Sequence, residues 1–273
     1  MIAGGAFLTA NDAVLKWLTG GYPTGQIMAL RGLFVLIPIA FLVWRKGGVS
    51  SLRVRNIKGQ GFRAGLVVAG TFLFVSGLEF LPLADAISIT FAGPLFITAM
   101  AAAILGETVG WRRWVAVAVG FTGVLLIMRP GSGAIQWAAL LPLAASFTGA
   151  LRDIVTRYLA GRESSVAILA VTTLAVIVAG FLTLPFGWQP VAIQDIFLFA
   201  LGGVLLGSAH YFLIEAFRFA EAALVAPFKY ASIIWAVLFG FVIWGDLPDA
   251  WTLFGSAVVI ASGLYILHRE TRR

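Results

Sequence analysis

Cysteine is missing from the 273-residue sequence, and charge is scarce, with 11% of residues being Asp, Glu, Lys or Arg. Without a thiol there is no cysteine nucleophile, no iron–sulfur ligation and no disulfide framework. The two histidines, His210 and His268, are too few for an all-protein zinc or haem site, and no metal or other cofactor is expected. No phosphate-cradling glycine loop of the Walker type occurs, which argues against ATP drive. Soluble domains average about 25% charged and about 45–50% apolar residues. Here 60% are hydrophobic, and mean hydropathy is +0.98. With 31 Gly, 22 Phe and 9 Trp, the chain is not disordered, fibrous or an ordinary nucleic-acid binder. What remains is an all-α integral membrane protein.

A membrane-spanning helix takes about 20 mostly apolar residues. Ten such segments are predicted at 2–18, 23–44, 62–81, 83–105, 111–129, 136–158, 165–186, 193–217, 221–244 and 249–267. The separators carry turn signals, among them Gly20-Gly21-Tyr22-Pro23, Pro82, Pro130-Gly131, Gly187 and Gly245-Asp246. No room is left for a separate soluble domain. No cleavable leader is expected, because the first apolar segment carries Asn11, Asp12 and Lys16 without a basic start.

The net charge of +7 is placed rather than diffuse. The longest connection, 45–61, holds Arg45, Lys46, Arg53, Arg55 and Lys58, with Arg63 just beyond it and no acid. Positive loops stay on the cytoplasmic side during insertion, so both termini are expected inside the inner membrane. Of the other basic residues, only Lys16 and Arg129 then fall at outer ends. The basic balance reads as a topology signal with some attraction to anionic lipid, and no nucleic-acid partner is expected.

The two halves resemble each other in order. Asn11–Leu18 aligns with Arg152–Leu159 at an offset of 141, Glu79–Ala86 with Glu215–Ala222 at 136, and Gly106-Glu107 with Gly245-Asp246 at 139. Five helices per copy is an odd number, so the second copy enters the membrane from the opposite side. The expected units are 1–134 and 135–273, two inverted five-helix repeats around a central cavity. Inverted repeats are common in transporters, with the site near the midplane between copies.

Within this frame, Leu81–Arg129 resembles the EamA-type module of the drug/metabolite transporter superfamily. The matching features are Ala84-Asp85-Ala86 opening the fourth helix, Pro94 within it, Gly106-Glu107 at its end, then Gly120 and Gly123. Glu221-Ala222-Ala223, Gly245-Asp246, Gly255 and Gly263 repeat the pattern, and Arg31 looks like that family's arginine in the second helix. The resemblance implies ten helices, a cavity formed by helices 1–4 and 6–9, and export of amino acids or other small metabolites.

Ionisable groups deep in a bilayer cost at least about 2.5–3.5 kcal/mol on insertion scales and usually face a cavity or a partner. Asp12 lies about 9 Å and Arg31 about 12 Å below the outer end of their helices at 1.5 Å per residue. A charged pair is therefore expected between them, with Asn11 alongside. Arg152, Asp153, His210 and Lys229 would form a second polar layer in the inner half. Asp12 with Lys16 and Asp153 with Arg157 also have the i,i+4 spacing of local pairs. Lys229 stands out, two residues after Pro227. Pro94 and Pro227 lie on corresponding helices 4 and 9 as candidate gating kinks, rigid packing kinks being an equal account. Phe74, Phe91, Tyr211, Tyr230 and Trp235 are the aromatic residues nearest the polar layers and so candidates for a pocket. Gly61-xxx-Gly65 and Gly203-xxx-Gly207 allow close helix contact within a chain or between chains, leaving homodimer and monomer open.

The expected function is secondary export of a small metabolite, an aromatic or other neutral amino acid first, by alternating access. A channel or lipid scrambler would share the composition. Intramembrane proteolysis is disfavoured, since Ser76-Gly77 lacks the glycine two residues before the serine and Gly245-Asp246 is preceded by Ile243-Trp244.

Overall fold

The structure, a computed structural model, describes residues 2–45, 48–104, 110–129, 135–160, 163–219 and 230–271. Those residues are all-α. The first half supplies α1 (Ile2–Thr19), α2 (Thr24–Arg45), α3 (Ile57–Phe80), α4 (Leu83–Thr90), α5 (Gly93–Ile104) and α6 (Trp111–Met128). The second supplies α7 (Ile135–Ala160), α8 (Ser165–Phe181), α9 (Ile193–Phe219), α10 (Ser232–Trp244) and α11 (Ala250–Thr271). Seven spans, α2, α3, α4–α5, α6, α7, α9 and α11, are long and apolar enough to cross a membrane. α8 and α10 are shorter apolar helices, and α1 adds 18 residues bearing Asp12 and Lys16. The ten expected segments thus each have a helical counterpart.

Helix starts follow the sequence locally. Asn56 caps α3 by accepting from Gly59 N (2.9 Å), Ser164 caps α8 through Ala167 N (3.0 Å), and Asp249 caps α11 through Thr252 N (2.9 Å). The Asn56 cap starts α3 five residues before the expected position, which places Arg63 in the second turn of the helix rather than at its first residues.

The fourth span is two helices rather than one kinked helix. Pro94 has no N–H, so it leaves the Thr90 carbonyl without its i+4 donor. α4 ends at Thr90, Phe91 and Ala92 form a turn, and Pro94 sits in the first turn of α5. The Ser146 hydroxyl on α7 donates to the Thr90 carbonyl instead (3.0 Å). Neighbouring side chains can re-satisfy backbone freed by proline inside a membrane. Pro227 lies outside the described residues.

Eight spans close into a ring: α1 packs on α9, α9 on α2, α2 on α8, α8 on α3, α3 on α7, α7 on α4–α5, α4 on α10, and α10 on α1. α6 and α11 pair with each other beside α4. Exchanging each span for the one five places later converts every one of these pairings into another or into itself. The packing therefore has the two-fold exchange expected of a duplicated five-span unit, although the expected boundary after residue 134 lies outside the described residues.

Close approach depends on absent side chains. A Cβ on Gly203 would lie 2.6 Å from Phe34 Cβ and 2.7 Å from the Arg31 carbonyl oxygen, and one on Gly207 would collide with the Pro38 ring. Those two glycines let α9 lie against α2. Gly61 and Gly65 differ, because a Cβ on either would meet nothing within 4 Å. Gly203→Val is expected to cost about 1–3 kcal/mol by overpacking and to lower the melting temperature in detergent. Gly65→Val should leave it unchanged, and equal melting of the two variants would contradict this account of the α2–α9 contact.

Candidate translocation site

The end of the ring away from the basic loop 45–61 is closely packed. Leu15 and Leu18 of α1, Leu78 of α3, Leu81 just after it, and Leu83 and Ile87 of α4 are buried in one apolar cluster. Polar bonds tie the same end. The Lys16 ammonium donates to the Leu81 carbonyl (2.9 Å) and stands 3.6 Å from Asp246 and 5.0 Å from the Trp244 ring. Thr252 donates to Asp85 (2.9 Å), and Arg129 pairs with Asp249. Tyr22 donates to Asp195 (2.6 Å), while Gln26 makes two bonds with the backbone of Gln189 (2.7 and 2.9 Å).

Deeper in the ring, Arg31 is 3% exposed on α2. Its Nη1 donates to Asn11 Oδ1 (3.2 Å), and Asn11 Nδ2 donates to Asp12 Oδ1 (3.0 Å). The expected Arg31–Asp12 pair is therefore relayed through Asn11 rather than direct. The local Asp12–Lys16 pairing also gives way, because Lys16 turns to Leu81 and Asp246. Arg31 Nε is buried with no hydrogen-bond partner among the described residues.

A second polar group lies towards the basic-loop end. Arg152 donates twice to its neighbour Asp153 (2.9 and 2.7 Å). His210 Nδ1 lies 3.0 Å from the Leu206 carbonyl, which can only accept, so Nδ1 is the donor of that bond. Arg63 belongs to this group, although the sequence marks it only as an inner-end charge. It donates from Nε to Thr156 (2.7 Å) and from Nη1 to Thr172 (2.6 Å). The signal that could have found it was the Asn56 cap, which puts Arg63 about 9 Å into α3 at 1.5 Å per residue. His210 is within electrostatic reach of Arg152, Arg63 and Arg31.

The aromatic candidates divide. Phe91, at the α4–α5 turn, meets Tyr230 edge-on (centroids 5.2 Å apart, 81° between planes), both rings buried in the main apolar cluster. The Tyr230 hydroxyl is buried with no hydrogen-bond partner among the described residues. Phe74 packs half-buried against that cluster, and Trp235 is half-buried on α10. Tyr211 packs instead on a separate cluster with Val35 and Ile39 and against Phe212, away from the Phe91–Tyr230 pair. Lys229 lies outside the described residues.

At the basic-loop end, Glu163 accepts from the backbone N–H groups of Arg55 (2.9 Å) and Asn56 (2.6 Å), and Ser164 donates to the Ser51 carbonyl. Burial pushes the Glu163 carboxyl up, but those two N–H bonds and the Arg55 charge hold it below the usual glutamate value.

A ring of helices, most long and apolar enough to cross a membrane, with charged side chains partly buried among them, suits a small-molecule transporter. The EamA-like transporter family model matches residues 1–129. The chain is 32% identical to a riboflavin transporter of Rhizobium johnstonii, over all of this chain and 91% of that protein. It is 28% identical to an S-adenosylmethionine uptake transporter of Rickettsia prowazekii, covering 96% of this chain and 89% of that one. A pseudopaline exporter of Pseudomonas aeruginosa is 26% identical over 92% of this chain and 88% of its own length. A solved crystal structure superposes with a TM-score of 0.72 at 20% identity, covering 100% of this chain and 98% of the other, which shows the shared fold. The chain belongs to the EamA-like transporter family of the drug/metabolite transporter superfamily.

Because its carboxyl is held low, Glu163 stabilises the fold while ionised, and that stability is lost as pH falls through its lowered pKa. Glu163→Gln should lower the melting temperature at pH 7, with the gap to wild type closing in acid. A gap that stays constant across a pH series would contradict the assignment.

Proposed function

We propose that the chain carries a small amphipathic metabolite with a planar aromatic ring and a polar or charged chain, by alternating access across the inner membrane. The observation that carries this reading is the closed ring of eight spans, packed apolar at one end and bearing half-buried Asp12, Arg152, Asp153 and His210 further in. A pocket of apolar walls with a few fixed polar groups suits such a molecule. Riboflavin and S-adenosylmethionine, the molecules in two relatives' names, each join a flat nitrogen heterocycle to a hydroxylated sugar-derived group.

In this reading Asp12, Arg31, Asp153, His210 and Lys229 hold charged groups of the substrate or take part in coupling. Phe74, Phe91, Tyr230 and Trp235 offer flat apolar surface to its ring. Residues 1–134 and 135–273 are the two units that move, and both termini are cytoplasmic. Export of an aromatic or other neutral amino acid is the second reading. The Arg31–Asn11–Asp12 relay favours it, since it presents both signs of charge to a zwitterion.

Counterflow in proteoliposomes preloaded in turn with riboflavin, S-adenosylmethionine and phenylalanine tests both readings. Saturable tracer uptake driven by one preload is the expected result, and Arg31→Gln should reduce it at least about tenfold, the loss of about 1.4 kcal/mol of binding. Flux without saturation or counterflow would identify a channel or scrambler instead.

A further inference from the structure

We infer that Arg63 is an anion anchor, its guanidinium holding a carboxylate or phosphate group of the transported molecule with the Arg152 charge nearby. This deepens, and rests on, the transporter reading above. The geometry begins with two threonines. Thr156 donates its own hydroxyl proton to the Arg152 carbonyl (2.6 Å), and Thr172 donates to the Ile168 carbonyl (2.7 Å). Each threonine oxygen therefore meets Arg63 as an acceptor, one from α7 and one from α8.

The guanidinium is thus fixed in orientation by neutral groups, and the acid within its electrostatic reach among the described residues is Asp153. A guanidinium has five N–H donors, of which these bonds use two. No carboxylate lies within 4.0 Å of Arg63 among the described residues. The nearby acid, Asp153, already receives both bonds from Arg152. Among the described residues, two arginines and one carboxylate leave an excess positive charge, contributed from α3 and α7 beside α8. Arg63 is half-buried, so an incoming group can reach it while water screens it less than at a free surface. A planar fork with free donors matches a carboxylate or phosphate in two-point fashion.

Thermal unfolding of the full chain in phosphatidylcholine nanodiscs tests this, with inorganic phosphate, glutamate and flavin mononucleotide as probes and riboflavin as the uncharged match of the last. At least one anion is expected to raise the wild-type midpoint by several degrees, and Arg63→Gln should remove that shift. Arg63→Lys, which keeps the charge but not the fork, should retain part of it. Thr172→Val, which frees the fork, should weaken it. The anchor is overturned if no anion stabilises the wild type, or if Arg63→Gln responds equally. Stabilisation that appears only when phosphatidylglycerol is added assigns Arg63 to a lipid headgroup and also overturns it. Counterflow of an uncharged or cationic molecule by a protein with no anion response would leave the transporter reading standing while the anchor falls.

Discussion

Inside a hydrocarbon slab every charge must find a partner within the protein, and this bundle meets that constraint in three different ways. Arg31 reaches its acid through the amide of Asn11. Arg152 folds back onto the adjacent Asp153. Arg63 is held by two hydroxyls, which give it hydrogen bonds but no counter-charge. The distinction matters because a hydrogen bond fixes a group in space while only an opposite charge neutralises it. The three arginines therefore differ in what they can still offer to something entering the ring.

The two ends of the bundle are closed by unlike means. Away from the basic loop, leucines from α1, α3 and α4 pack together, and Lys16 spans from α1 to the end of α3 and to Asp246 after α10. At the basic-loop end the recorded ties are backbone N–H groups converging on Glu163 and a serine hydroxyl on a carbonyl. Apolar burial is non-directional and roughly additive in area, whereas the carboxylate latch depends on one ionised group.

Much of the fold was legible because span length and charge placement are crude, robust signals. Ten apolar stretches became helices, and the offset near 140 residues reappears as packing that survives exchange of the halves. The misreadings share one cause, that a linear sequence does not say which neighbour a side chain will meet. Pro94 looked like a kink, but Ser146 on another helix takes over the orphaned carbonyl, and a full break results. Lys16 sits four residues from Asp12, yet the Leu81 carbonyl 65 residues away is its partner. Arg63 read as a topology mark until the Asn56 cap moved the start of α3. Trp235 and Tyr211 are aromatic and near the polar layers in sequence, but of the five aromatic candidates Phe91 and Tyr230 are the two that pair with each other among the described residues.

The break at Phe91 makes the fourth span two rigid rods joined by one turn. Asp85 fastens the first rod to α11 through Thr252, while the second leans on α7. Bending an intact helix means pulling apart hydrogen bonds in its ladder. Here the bond that would have crossed the joint is already missing, its carbonyl carried by Ser146 on α7. The joint can therefore flex without first breaking that rung, with α7 packed on both rods and tied through Ser146 to the end of the first.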